Sequence, residues 1–535
     1  MFTSYIKYLK SLFFSVFAIL FAGTAQETAA QQLVVPLHNE LNYRFEKAFF
    51  ADTNFHDNVK PFTISKAKFD SLNRLLAIPV KSKLLSKVLN NNILDINRNK
   101  LSLTINPVLS ILPSFSTQTN SFLSDNQFGL SLNSFIGKKL SVNITGFYGI
   151  KSFSDSLTAQ VTSSGIIPHY GETLNRLNDN TFDYLSLSGY ISYQPLKYIN
   201  FQLGKGKHFW GSGYRSLFLS DNANTYPYFK AVVDIWRFKY IWMVGALRDP
   251  NMETSPDVLK SKFQFSHYLS WNATKWLNFN FFESIVSNPV DSMGVRYFNI
   301  NYLNPVIFFR PVEFAGGSAD NALLGVGLNL KLFKKYRFYS QFLIDEFVFS
   351  EIKSGNGWWG NKFAVQAGMK VFNPFGLENI MFLGELNYIR PFTYSYSNSI
   401  QNYGNYKQAL AHPAGANTQE AVALVHYHKG RFSSQIKMIY QISGIDTDST
   451  SYGKDIYKAY TLRNGDYGHY TTQGLLTKYW HAELKTSWLV NPAYNMQLQF
   501  SVATRHISNN LNNEGFISFS FGLKTLVFNE DNDFF

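Results

Sequence analysis

From about residue 99 onward the chain is a succession of segments, roughly ten residues each, in which apolar side chains alternate with polar or small ones. Leu140, Val142 and Ile144 alternate with Ser141, Asn143 and Thr145, and Trp480, Ala482, Leu484, Thr486 and Trp488 with His481, Glu483, Lys485 and Ser487. Met496, Leu498, Phe500 and Val502 alternate with Gln497, Gln499, Ser501 and Ala503, and Ile517, Phe519, Phe521 and Leu523 with Ser518, Ser520, Gly522 and Lys524. A period of two sends the two sets to opposite faces of a sheet. The 50 Phe and 32 Tyr lift the aromatic share to 17%, a choice that favours strands. Only 16% of residues are charged, against roughly a quarter in an ordinary soluble domain.

The N-terminus places these strands outside the cytoplasm. Lys7 and Lys10 precede the apolar run Ser11-Leu-Phe-Phe-Ser-Val-Phe-Ala-Ile-Leu-Phe-Ala22, and the small residues Gly23 and Ala25 follow at the spacing a signal peptidase reads. Residues 1–25 are therefore read as a signal peptide, with a second possible cut after Ala30. The apolar run is too short for a span, which needs roughly 20 residues, and no later run reaches the roughly 18 of a transmembrane helix. An exported chain that crosses a membrane with strands must close its sheet, because an open edge leaves backbone groups unpaired in hydrocarbon. The fold class expected for residues 99–535 is thus all-β, a transmembrane antiparallel β-barrel of about 18 strands.

A soluble sandwich or propeller also alternates. Long strands and the aromatic residues Trp271, Trp276, Tyr479, Trp480 and Trp488 at strand ends favour a lipid interface. Tight turns are expected at Gly137-Lys138, Lys334-Lys335 and Tyr427-His-Lys-Gly430. Residues 151–181, 205–228, 286–322, 350–360, 392–419 and 443–476 are rich in Ser, Asn, Gly, Asp and Tyr, as extracellular loops are. Residues 26–98 differ: stretches 45–50, 69–78 and 84–94 carry helix-spaced apolar residues, with Ser65 and Ser82 as N-caps. They read as a small helical subdomain that plugs the barrel or packs beside it.

Chemistry is poorly represented. With no Cys there is no disulfide, thiolate zinc site or iron–sulfur cluster, and no P-loop, HExxH pair or GxSxG elbow occurs. No cofactor, no metal and no catalytic residue is expected. His426 and His428 share one strand face, but at a strand end they read more simply as surface or lumenal histidines. Trp358 and Trp359, flanked by Gly and Asn, fit stacking on sugar rings as well as packing against a neighbouring loop or anchoring at the membrane interface. The formal charge of +13 suits anionic lipopolysaccharide or an anionic polymer, while the compartment disfavours nucleic acid. Lys205, Lys207, Arg215, Arg237 and Arg310 either meet a polyanion or neutralise lumenal acids.

Two segments are more specific: Gly204-Lys-Gly-Lys-His-Phe-Trp-Gly-Ser-Gly-Tyr-Arg-Ser-Leu-Phe-Leu-Ser-Asp-Asn222, and Asn301-Tyr-Leu-Asn-Pro-Val-Ile-Phe-Phe-Arg-Pro-Val-Glu-Phe314 followed by Asp320-Asn-Ala-Leu-Leu-Gly325. Each resembles the corresponding stretch of the Wzi-like capsule-assembly outer-membrane proteins, a family that includes gliding motility proteins of the RemB type. The matching positions are Trp210, Gly211, Gly213, Leu217, Leu219, Ser220, Asn222 and Ala223. The resemblance implies an 18-stranded barrel with a helical plug that attaches or organises surface polysaccharide and is not an enzyme. A gliding-motility component and a porin-like diffusion channel are the alternatives. Candidate polysaccharide contacts are Trp210, Tyr214, Arg215, Arg310, Trp358 and Trp359. The strand-like stretch 516–528 is followed by the polar run Asn529-Glu-Asp-Asn-Asp533 and then Phe534-Phe535, a terminal Phe that suits the barrel-assembly machinery.

Overall fold

The computed structural model describes residues 32–117, 121–249, 261–287, 290–291, 294–295, 300–305, 320–447, 450–530 and 533. Eighteen antiparallel strands form one closed barrel. They are β1 Leu101–Ser116, β2 Ser121–Ile136, β3 Leu140–Ser152, β4 Thr181–Leu196, β5 Ile199–Gly206, β6 Tyr226–Ile235, β7 Phe238–Arg248, β8 Ser261–Trp271 and β9 Leu277–Ser287. The second half comprises β10 Asn321–Leu332, β11 Tyr336–Glu346, β12 Lys362–Phe372, β13 Ile380–Ile389, β14 Thr418–Lys429, β15 Phe432–Ile445, β16 Leu475–Asn491, β17 Met496–Ser508 and β18 Asn513–Thr525. Each strand pairs with the next, and β18 closes on β1. Among the described residues no helix is long and apolar enough to cross a membrane; the strands do the crossing.

Connections after even-numbered strands are short and those after odd-numbered strands mostly long, so both ends of the barrel-forming chain lie at the short-turn, periplasmic end. The expected turns lie where predicted: Gly137 joins β2 to β3 with φ of 60°, Lys334 and Lys335 separate β10 from β11, and Gly430 turns β14 into β15 with φ of 60°. The alternation holds as well. Leu130, Leu185, Leu187, Leu203 and Leu386 stand exposed on the outer wall, while inward positions such as Gln264, Ser266 and Ser270 of β8 are fully buried. Trp276, Trp480 and Trp488 are outward and exposed. Tyr479 is a correction: it shares the inward face with His481, on which its ring stacks at 6.5 Å, and so cannot serve as an interfacial anchor.

The closure has the irregularity its residues require. β18 pairs with β1 only between Ser518↔Ser116 and Lys524↔Ser110, and a Cβ at Gly522 would stand 1.9 Å from the Ile111 carbonyl oxygen. Below that point a short strand, Leu94–Arg98, pairs with β1 instead and covers its free edge. The strand expected over 516–528 lies three residues earlier: the ladder runs from Asn513 and ends at Thr525, and Phe528 turns inside to meet Phe147 and Tyr170 at 6.2 and 5.8 Å.

Ahead of the barrel run three helices, α1 Asn39–Ala51, α2 Lys66–Arg74 and α3 Lys83–Leu89. Ser65 and Ser82 cap the last two, accepting from the Lys68 and Leu85 amides. Only α1 enters the lumen, where Tyr43 and Phe50 pack among Phe372, Leu383 and Leu424 of the wall. The segment with α2 and α3 lies at the periplasmic turns: Asn491 donates to the carbonyls of Lys87, Val88 and Asn91, and Arg431 to that of Leu76.

Candidate functional site

The lumen is filled from the periplasmic side by α1 and the segment after it. Glu46, on the buried face of α1, meets Arg337 of β11 at 2.9 Å and Lys370 of β12 at 2.6 Å, and Arg337 also grips Asp57. Burial alone pushes these carboxyls up, but Lys370 and Arg337 outweigh it and hold Glu46 below its usual range; Arg337 and Lys331 hold Asp57 at about 2. Asn58 follows, donating to Tyr268 Oη and Ser270 Oγ at 3.1 and 3.0 Å and also pairing with Asn280. Isolated charges at inward strand positions were the only sequence signal of this network.

The loop between β5 and β6, residues 207–225, folds inward and seals the next level. Phe209 and Trp210 pair as a strand with Lys60 and Val59, and the Gly211 amide donates to the Asn58 carbonyl. Trp210 is fully buried against Tyr268 and Phe282; its carbonyl accepts from Ser216 Oγ at 2.6 Å and Gln341 Nε2 at 3.0 Å. The amides of Tyr214 and Arg215 donate to the two Glu385 oxygens at 2.8 and 3.0 Å, and a Cβ on Gly213 would stand 2.2 Å from that carboxylate, so this close approach needs glycine. Arg215 then forks to Glu420 at 3.2 and 3.3 Å and reaches Asp533 at 2.9 Å.

The C-terminal residues complete the packing. Asp533 accepts from Tyr214 Oη at 2.7 Å and pairs with Lys437. Burial opposes its ionisation, yet Lys437 and Arg215 outweigh that and hold the carboxyl far below the usual range. Asn529 bonds to Leu37 and Asn39 of the N-terminal segment and to Asp221 of the inward loop. Trp210, Tyr214 and Arg215, expected as polysaccharide contacts, thus lie inside the barrel. The correction has a plain cause: a Gly-rich segment is slim enough to fold inward, where its aromatic and basic groups meet wall acids instead of solvent. Lys207 is buried too, over the Phe528 ring.

Above this level the loop 390–417 caps the lumen, with Tyr394 Oη donating to the Leu217 carbonyl and Ser220 bonding to that of Ala411. Trp358 and Trp359 stand at the top, half-buried in the connection between β11 and β12. The Arg463 guanidinium lies 3.9 Å from the Trp359 ring centroid, Tyr460 at 4.6 Å, and the Trp359 amide donates to the Asp466 carbonyl. The pair therefore joins loop 347–361 to loop 446–474. Beside it Tyr467 and Tyr470 are 55% and 63% exposed, two residues the sequence reading did not single out. Arg310 lies outside the described residues. Of the described parts of its loop, residues 300–305 pack on the outer wall, where Tyr302 meets the Phe265 ring at 5.2 Å. His426 faces the lumen against Tyr43, and among the described residues no three His, Asp or Glu converge as a metal would require.

These features define a class: an 18-stranded barrel of the outer-membrane type whose lumen is occupied by its own N-terminal segment, an inward loop and residues 526–530 and 533. The comparisons place the fold more closely. The chain is similar to Wzi of Escherichia coli, an outer-membrane protein involved in group 1 capsule assembly and a carbohydrate-binding β-barrel, with a TM-score of 0.56, 12% identity, and coverage of 94% of this chain and 100% of Wzi. It is less similar to Pseudomonas aeruginosa OprD, at TM-score 0.41, 10% identity and coverage of 79% and 94%, and to OpdK with vanillate, at 0.43, 9%, 79% and 98%. No protein-family model matches the chain, and no curated protein matches it by sequence.

Proposed function

We propose that the protein is a non-enzymatic outer-membrane barrel that binds or anchors capsular or extracellular polysaccharide at the cell surface. The observation that carries this reading is the filled lumen beneath a rim of aromatic and cationic loop residues. A diffusion channel is poorly served by two levels of buried ion pairs in its bore with a further loop packed above them. Stacking surfaces beside a guanidinium suit sugar rings that bear acidic groups. Trp358, Trp359, Arg463, Tyr467 and Tyr470 offer several weak contacts, and a repeating polymer multiplies them. Lipopolysaccharide would surround the outer wall, and the barrel-assembly machinery would insert it.

Binding of detergent-purified protein to the organism's own surface polysaccharide tests this. Salt-sensitive retention, lost in a variant carrying Trp359→Ala, Tyr467→Ala and Tyr470→Ala, is the expected result. Folded protein that ignores the polymer sinks the proposal. Gliding of a deletion strain separates the motility alternative, which shares the fold.

A further inference from the structure

The packing inside the lumen leaves a cleft on one side. At β8 the inward residues are fully buried, but at β17 and β18 the inward residues Gln499, Ser501, Ser518 and Ser520 are only partly buried. The connections above this side, after β1 and after β17, are the two shortest at the extracellular end. The result is a cleft of about 230 Å³ running along the β18–β1 closure, with Glu530 and Asp533 of the C-terminus at its floor.

Its charges are almost all matched. Lys151 pairs with Asp125 at 3.2 Å, Lys437 with Glu483 and Asp533, Lys485 with Glu40 at 3.3 Å, and Lys524 with Glu530. Arg505 of β17 is different: among the described residues no carboxylate forms an ion pair with it. Its guanidinium sits 4.8 Å from the Phe516 ring centroid, and its Nε is buried with no hydrogen-bond partner. Directly opposite in register on β16 is His481, buried, with neither ring nitrogen partnered, and the Oε1 of buried Gln435 is likewise unpartnered. Orphaned donors and acceptors at more than nine-tenths burial are costly unless something occupies the space they face. Beside them the Ser501 and Ser520 hydroxyls form a ladder at 2.7 Å.

We propose that this cleft is a sugar-binding site taking the end or a short branch of an acidic glycan, with Arg505 receiving a uronate carboxylate and His481, Gln435 and the serine ladder meeting ring hydroxyls. The volume sets the length. Sites for drug-sized ligands enclose roughly 300–1,000 Å³, so this smaller cleft takes one or two sugar residues while the rest of the polymer lies across the loops. The inference rests on the polysaccharide reading and adds the site and the acidic character of the sugar.

The test uses full-length protein in detergent, folded as judged by heat-modifiable gel migration, with a hexuronate disaccharide, its neutral glucose counterpart and the native polymer as probes in calorimetry. Wild type should prefer the uronate by about tenfold, the worth of one charge-assisted contact. Arg505→Gln should erase that preference, and Ser518→Phe should block both disaccharides. Equal affinity of wild type for the two sugars, or a preference that survives Arg505→Gln, overturns the cleft assignment. Polymer retained by wild type while neither disaccharide binds refutes the cleft and leaves the loop reading standing. Absence of both refutes the polysaccharide reading itself.

Discussion

Glu46 shows how much of this barrel hangs on single lumenal charges. It faces Arg337 and Lys370 at 2.9 and 2.6 Å in a site that excludes water. Removing one member of such a buried pair costs about 3–5 kcal/mol because the other charges stay buried. Glu46→Ala should therefore free the N-terminal segment, seen as new trypsin cleavage within residues 32–65 while the barrel stays intact; an unchanged digestion pattern would contradict it. The acids also predict a pH response. Glu46, Asp57 and Asp533 have folded pKa values held below their unfolded ones, Asp57 at about 2. Their contribution is complete above the unfolded values, near 4, and is lost as pH falls through the folded ones. Near-UV dichroism should be flat from neutrality down to about pH 5 and decline from about pH 4 toward pH 2. Loss between pH 8 and 6 would point to other groups.

At the scale of elements, strands and turns were readable and the destinations of the connections were not. The alternation at β3, β16, β17 and β18 marks lipid-facing and lumen-facing residues because a strand's period is fixed by its backbone. Gly430 marks its turn because the geometry needs a positive φ. Nothing local distinguishes loop 207–225, which folds in, from loop 446–474, which keeps Tyr467 and Tyr470 exposed; both mix Gly, polar and aromatic residues. For the same reason Trp210, Tyr214 and Arg215 looked like contacts, and Val527 and Phe528 looked like strand. The C-terminal segment gives a prediction at this scale. Phe528 is 5% exposed among Phe147, Tyr170 and the Lys207 ammonium, and Phe528→Ala should cost about 3 kcal/mol. A urea midpoint unchanged from wild type would mean that the inserted C-terminus contributes nothing to stability.

For the whole molecule the decisive property is that the lumen is closed at more than one level. Full-length protein in planar bilayers should show no porin-sized conductance. Deletion of residues 32–98 alone should leave it nearly closed, because loop 207–225 is held by Glu385, Glu420 and Gln341 of the wall and not only by the N-terminal segment. Large, steady conductance on that deletion would show that the inward loop depends on the plug.

The sequence by itself pointed to the barrel: the two-residue period, the lack of any apolar run of about 18 residues beyond the N-terminal one, and the alternation of short turns with long connections leave a closed sheet of about 18 strands as the solution in a bilayer. It also located most loops, the three helices ahead of the barrel and the Ser65 and Ser82 caps, since these depend on neighbours a few residues away. Only the tertiary structure decided what fills the lumen, which predicted contacts are buried and where space remains. Those outcomes rest on pairings such as Glu46 with Arg337, Arg215 with Asp533 and Arg505 opposite His481. Each depends on barrel closure and strand register, which bring distant residues within a few ångströms and leave no local trace in the order of amino acids.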